Sequence, residues 1–169
     1  MATLEEAKAR LAAASQRFHD TEIKWQPSLW DSSDFGLQPQ GNDLFGNIFS
    51  NIFGTRPLSP PAPRIFSQRD APRALRACFD VLYALGSRST DANETLAYAA
   101  AMDAVSTELD FIAERRLLSR TKEYAPFTAA FKSAAKTLKE AKAKADELAQ
   151  NLGLAADVLT AFSKIIAVV

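Results

Sequence analysis

The sequence predicts an all-α fold: an antiparallel bundle of about four helices, with a long C-terminal heptad helix and an irregular arm, rich in proline and aromatic residues, between helices one and two. Alanine, the strongest helix former, supplies 31 of the 169 residues. Apolar residues recur at steps of three and four in several separate segments. The 47% apolar and 24% charged residues are the proportions of a globular protein, and the length fits one domain. We therefore predict a single helical domain over residues 1–169, divided into a first helix (1–19), the arm (20–69) and a helical core (70–169).

The first helix is predicted over residues 3–18. Thr3 and Glu6 have the spacing of a capping box, in which each side chain accepts a hydrogen bond from a backbone amide of the first turn. A narrow apolar stripe follows at helical spacing, with the charged residues on the other face. Its members are Leu4, Ala7, Leu11, Ala14 and Phe18.

The arm differs in composition from the rest of the chain. It holds six of the eight prolines and four of the six glycines, which excludes long regular elements. It also holds both tryptophans and five of the eleven phenylalanines, whereas disordered linkers are depleted in aromatic residues. We therefore predict an ordered, irregular arm that packs against a surface. Within it, residues 43–53 predict a short amphipathic helix with the apolar face Leu44, Phe45, Ile48, Phe49, Ile52 and Phe53.

Helices two and three are predicted over residues 72–85 and 91–117. Asp70 suits the cap of helix two, Gly86 suits its end, and Asp91 suits the cap of helix three. Cys78 falls on the apolar face of helix two and is interpreted as a small core residue. The acidic residues of helix three are interpreted as a solvated face: Asp103, Glu108, Asp110 and Glu114.

The last segment, residues 127–169, has the clearest periodicity. Its apolar residues step by four and three for six heptads, which favours one helix of about 43 residues and roughly 65 Å. The alternative is a break at residues 151–153, because a glycine inside a helix costs about 1 kcal/mol. Beyond Gly153 the segment is apolar almost all round, so protein or lipid should cover it. Asp157 and Lys164 argue against a transmembrane helix over residues 152–169.

Side chains of catalytic or metal-binding type are scarce. A single cysteine excludes a disulfide framework and a cysteine-based zinc finger, and a single histidine, His19, excludes most metal sites with two or three histidines. Phosphate-binding loops, metalloprotease and redox motifs and nucleophile elbows are absent from the sequence. We therefore predict no catalytic residue, no metal and no cofactor, and a protein that is not an enzyme. An enzyme that uses carboxylates or backbone groups outside these motifs is a remaining alternative.

Basic residues outnumber acidic ones by nine to three between residues 111 and 144. This excess has three interpretations: an ordinary solvated face, a surface for an acidic protein or lipid, or a nucleic-acid site. Nucleic acid is disfavoured because the formal net charge of the chain is zero and the nearby aromatic residues lie on the heptad seam. The predicted basic patch consists of Arg115, Arg116, Arg120, Lys122, Lys132, Lys136 and Lys139.

These features favour a non-catalytic interaction subunit, such as an adaptor, chaperone or inhibitor, that binds another protein through helical faces and the arm. The predicted partner-binding residues are Trp25, Trp30, Phe45, Ile48, Phe49, Ile52 and Phe53. The same aromatic residues could instead cap the end of their own bundle. The alternative function is a membrane-active protein that uses residues 152–169 and 44–53.

Further expectations concern location and assembly. The charged N-terminus does not resemble a secretory signal peptide, so a cytoplasmic location is the default, and the alanine content suggests a bacterial source. A homo-oligomer through residues 127–169 and a peripheral contact with a membrane are also compatible with the pattern.

Overall fold

A computed structural model describes residues 2–29 and 65–169, with the backbone alone for residues 26–29. These residues contain seven helices and no named strand. The all-α class and the bundle arrangement are therefore confirmed. The helices are α1 (Leu4–Leu29), α2 (Ala71–Arg88), α3 (Ala92–Glu114), α4 (Ala129–Ser133), α5 (Ala135–Glu147), α6 (Ala149–Leu152) and α7 (Ala156–Ile166).

Helix α1 begins as predicted and ends at Leu29, eleven residues after the predicted end at Phe18. The amide of Thr3 donates to Glu6 Oε2 at 2.7 Å and the amide of Glu6 donates to Thr3 Oγ1 at 3.2 Å, so the capping box is present. The arm was predicted to begin at residue 20, which is wrong, because α1 continues to Leu29. The buried Thr21 and the half-buried Trp25 give these extra turns a packed face against α3.

Helix α2 runs antiparallel to α1. The rings of Phe18 and Phe79 stack at 4.1 Å, and Leu11 lies against Gly86. Gly86 was predicted to end this helix, but it is buried inside α2, which continues to Arg88. A Cβ atom at position 86 would lie 2.7 Å from Leu11 Cδ1, so the glycine lets the two helices approach closely.

Helix α3 packs against α1, α2, α4 and α5. The Asp91 carboxylate accepts hydrogen bonds from the amides of Asn93 (2.7 Å) and Glu94 (3.0 Å), as expected for the predicted cap. The helix ends at Glu114 rather than at residue 117. It runs in the same direction as α1, because Arg17 contacts Asp103 and Trp25, further along α1, contacts Asp110.

The single C-terminal helix over residues 127–169 was wrong, because four helices occupy this segment. The break between α6 and α7 lies at Gly153, whose φ of 65° is left-handed and ends α6. The periodicity nevertheless identified the face that is buried. Residues of the heptad series that are buried include Phe131, Leu138, Ala141, Ala145, Leu152 and Phe162.

Helix α7 packs on α2 and α5, and its residues Phe162 and Ile165 are fully buried. Neither α7 nor any other helix in the described part of the chain has the length and apolar character that crossing a membrane requires.

The bundle has two ends that differ in their connections. At the turn end, residues 89–91 join α2 to α3, and Glu94 of α3 binds Lys144 of α5. Leu11 of α1 lies beside Gly86 near the same end. At the arm end, α1 finishes at residue 29 and the described chain resumes at residue 65. Residues 115–128, between α3 and α4, also lie there, since Tyr124 contacts Phe66.

Candidate partner-binding end of the bundle

Trp25 fixes the last part of α1 to α3 at the arm end. Its indole Nε1 donates a hydrogen bond to Asp110 Oδ1 at 2.8 Å, and Lys24 Nζ lies 4.6 Å from the centre of its ring. The hydroxyl of Thr21 lies 3.5 Å from the other carboxylate oxygen of Asp110. Thr21 and Trp25, both in the last part of α1 before residues 30–64, therefore bind the same carboxylate of α3.

The chain after residue 64 is held at the same end by backbone pairing. The Tyr124 amide donates to Phe66 O, and the Gln68 amide donates to Lys122 O, both at 2.9 Å. Ser67 and Glu123 form an antiparallel bridge between these two bonds. The ring of Phe66 also meets the ring of Tyr124 edge-on at 5.6 Å. Residues 66–68 are thus joined to residues 122–124 through both backbone and side chains.

Glu108 is the buried polar centre of this end, with 0% of its surface exposed. One carboxylate oxygen accepts hydrogen bonds from the Tyr124 hydroxyl (2.8 Å) and the Phe127 amide (2.7 Å). The other accepts from the amide (2.8 Å) and the hydroxyl (2.6 Å) of Thr128. Four donors from residues 124–128 therefore compensate the desolvation of this charge. Burial, followed by the charge and hydrogen bond of Glu108, raises the pKa of Tyr124, so its hydroxyl stays protonated and donates.

The predicted solvated face on helix three was wrong for two of its four carboxylates, because Glu108 is buried and the half-buried Asp110 binds Trp25. Asp103 lies at the surface, where it binds Arg17 Nη1 at 3.1 Å, and Glu114 is exposed. The sequence did indicate that Glu108 is buried, because Val105, Glu108 and Ile112 follow the three- and four-residue steps of a buried stripe.

Stacked aromatic rings join the loop to α3. Tyr124 meets Phe127 edge-on at 5.8 Å, and Phe127 stacks on Phe111 at 5.7 Å. The guanidinium of Arg115 lies 4.4 Å from the centre of the Phe111 ring, within cation–π distance. Because these rings contact one another, Arg115, the first residue of the basic patch, packs on a ring that its neighbours hold in place.

The partner-binding residues predicted from the sequence fall mostly outside the described residues. Trp25 is described, and it lies half-buried at the arm end with its Nε1 bonded to Asp110. The remaining six are outside the described residues, as is the short helix predicted over 43–53: Trp30, Phe45, Ile48, Phe49, Ile52 and Phe53.

All seven residues of the predicted basic patch are exposed, and they fall into two groups. Lys132, Lys136 and Lys139 lie on α4 and α5, where Lys136 is 3.8 Å from Glu140. The other four lie in the loop that is joined to Phe66 and Gln68. This group consists of Arg115, Arg116, Arg120 and Lys122.

A second polar cluster lies between α1 and α2. Arg76 binds Glu22 and donates from Nε to Asp80 at 3.3 Å, and His19 Nδ1 lies 3.6 Å from Glu22. Burial raises the pKa of Asp80 against the opposing effect of Arg76. Burial works against the charge of Arg76, but Glu22 and Asp80 outweigh it and raise the pKa of Arg76. The cluster consists of mutually compensating charges.

Cys78 is fully buried, which confirms its interpretation as a core residue, and burial raises the pKa of its thiol. In the described part of the chain, no group of three or more His, Cys, Asp or Glu side chains is placed to hold a metal ion. No family model matches the chain, and no curated protein or solved structure is significantly similar to it.

Proposed function

We propose that this protein is a non-catalytic interaction subunit that binds a partner protein at the arm end of its bundle. The observation that carries the proposal is the anchoring of both flanks of residues 30–64 at one end. Trp25 is bonded to Asp110 on one side, and Phe66 is paired with Tyr124 on the other.

The composition of the segment between these anchors supports an apolar contact. Residues 30–64 contain Trp30 and the apolar repeat of Phe45, Phe49 and Phe53 with two isoleucines between them. Burying one such side chain contributes about 1.5–3 kcal/mol. Aromatic residues of this kind are frequent at the centres of protein interfaces. The segment therefore has the composition of a binding surface.

The packing of α7 favours this function over membrane activity. Phe162 and Ile165, which belong to the apolar C-terminal segment, are buried within the bundle. Releasing them to a bilayer would require α7 to leave α2 and α5. Exchanging one apolar environment for another gains little free energy, whereas a partner that covers exposed apolar side chains removes them from water.

The test is capture of a partner by the tagged full-length chain from a lysate of the source organism. The variant Phe45→Asp/Phe49→Asp removes two apolar anchors, and Ala9→Asp/Ala13→Asp adds the same charge at exposed positions of α1. We expect one protein to be retained by the wild type and by the α1 variant and to be lost by the Phe45/Phe49 variant. Circular dichroism during heating measures whether each of the three chains folds, and we expect all three to do so.

Two results would contradict the proposal. Unfolding of the Phe45/Phe49 variant would show that these residues cap their own bundle. Flotation of the wild type, but not of this variant, with phosphatidylcholine vesicles would show that the segment binds lipid.

A further inference from the structure

The loop between α3 and α4 carries a concentrated positive charge on its exposed side. Residues 115–123, called the cationic loop from here on, hold four basic residues and one acidic residue, Glu123. All four basic side chains are exposed. Arg116 and Lys122 form no ion pair with any carboxylate of the described residues, whereas Arg17 and Arg73 pair with Asp103 (3.1 Å) and Asp157 (3.7 Å).

The backbone of the cationic loop is held in one conformation from both sides. Ser119 O accepts from the Arg69 amide at 3.2 Å, and Lys122 O accepts from the Gln68 amide at 2.9 Å. Within the loop, Ser119 Oγ accepts from the amides of Thr121 (3.3 Å) and Lys122 (3.2 Å). The loop then continues into the residues that bind the buried Glu108. A surface fixed in advance loses less conformational entropy when it binds.

Arg116 has a backbone conformation that does not suit it. Its φ is 52°, in the left-handed region where glycine is preferred and other residues are strained. Arg116 follows the end of α3, the position at which helices usually place glycine. Strain of this kind is found where function selects the side chain. Here the side chain contributes an exposed positive charge that pairs with no carboxylate in the part of the chain that the structure describes.

We infer that the cationic loop binds an acidic segment of the partner protein, an inference that rests on the proposed function. Nucleic acid fits less well, because proteins that bind single strands stack the bases on exposed aromatic rings. The ring of Phe127 already contacts two other rings of the chain, stacking on Phe111 and meeting Tyr124 edge-on. A membrane surface would need apolar side chains to insert beside the charges, and Leu117 and Leu118 pack against the core.

The test measures binding of a fluorescein-labelled oligoglutamate peptide to the full-length chain by fluorescence anisotropy. Arg116→Gly/Lys122→Gln removes two charges from the cationic loop, and Lys8→Gln/Arg10→Gln removes two from exposed positions of α1. We expect the first variant to bind the peptide roughly three- to tenfold more weakly than the wild type, and the second to bind within about twofold.

Arg116→Gly alone separates binding from folding. Glycine relieves the strained φ, so we expect its melting temperature to rise by about 2–4 °C while its affinity for the peptide falls. A weaker affinity in a more stable protein has no explanation in misfolding.

Equal affinity of the two double variants, or no binding of the peptide by the wild type, would overturn the inference. Tighter binding of a single-stranded DNA oligonucleotide or of phosphatidylserine vesicles through the same two residues would also overturn it. If either happens while the Phe45/Phe49 variant still loses the captured partner, the proposed function stands without this inference.

Discussion

The two ends of the bundle compensate their acidic residues in different ways. At the turn end, Glu94 binds a cation, Lys144, together with the hydroxyls of Ser89 and Tyr98. At the arm end, the fully buried Glu108 accepts four hydrogen bonds within the described residues, all from neutral donors of residues 124–128. The carboxylate of Glu108 therefore fixes the backbone of residues 124–128, which supplies these donors, and its burial requires no basic side chain. Arg116 and Lys122 of the neighbouring loop remain exposed and form no ion pair with a carboxylate of the described residues.

The largest effect is expected at Glu108. Glu108→Ala leaves two half-buried amides and the hydroxyls of Tyr124 and Thr128 without their acceptor, which should lower the free energy of unfolding by about 3–5 kcal/mol. Urea unfolding measures this change. Glu114→Ala on the same helix is the control, and we expect a change within about 0.5 kcal/mol because Glu114 is exposed. Equal effects at the two positions would show that the buried carboxylate does not fix the arm end.

Gly153 tests the turn end, where Arg88 donates to the carbonyl of Asn151. Gly153→Ala should destabilise the protein by about 1 kcal/mol, because alanine is strained at a φ of 65°. No neighbouring atom would clash with the added Cβ, so the backbone strain is the whole effect. In a continuous helix the same substitution would stabilise the protein by about 1 kcal/mol. The sign of the change in thermal unfolding thus decides between the break and the continuous helix, and Gly153→Asn should cost less than alanine.

The anchor between Trp25 and Asp110 should have a smaller effect. A double-mutant cycle of Trp25→Phe and Asp110→Ala isolates the hydrogen bond from the indole, and we expect a coupling of about 1 kcal/mol. The matched cycle of Arg17→Ala and Asp103→Ala measures an exposed ion pair between the same two helices. We expect its coupling energy to be below about 0.5 kcal/mol. A coupling as small at Trp25 as at Arg17 would mean that the last turns of α1 are not fixed by this contact.

The smallest effect concerns the ion pair at the turn end and depends on pH. Burial opposes ionisation of Glu94, but hydrogen bonds from Lys144, Ser89 and Tyr98 outweigh it and lower the pKa of Glu94. Its contribution is therefore present above the ordinary pKa of a glutamate and is lost as the pH falls through the lowered value. Glu94→Gln should cost about 0.5 kcal/mol at neutral pH and nothing at a pH below that pKa. A cost that stays constant over this range would exclude the ionised carboxylate as its cause.

Two glycines show what the sequence could not predict about the fold. Gly86 was predicted to end a helix and lies inside one, whereas Gly153 was predicted inside a helix and ends one. Each glycine follows a leucine, so the neighbouring residues do not distinguish the two positions. The surroundings do differ: Leu11, which is far away in the chain, packs against Gly86, whereas no atom lies within 4 Å of a Cβ placed at Gly153. Periodicity, by contrast, identified the buried faces of the helices because it records burial directly.

The candidate site was predictable in its residue types and less so in its arrangement. The exposed basic residues and Trp25 could be named from composition. The role of Glu108 depends on Tyr124 and Thr128, which are 16 and 20 residues away in the chain, and an isolated acidic residue in a helix gives no sign of such donors.

The most direct test places a photoreactive amino acid at each end of the bundle in turn. Thr121 in the cationic loop and Arg10 on α1, next to the Leu11 that meets Gly86, are both exposed. After irradiation in a lysate of the source organism, we expect a crosslink to one protein from position 121 and none from position 10. A crosslink from position 10 alone, or the same crosslink from both positions, would contradict the assignment of partner binding to the arm end.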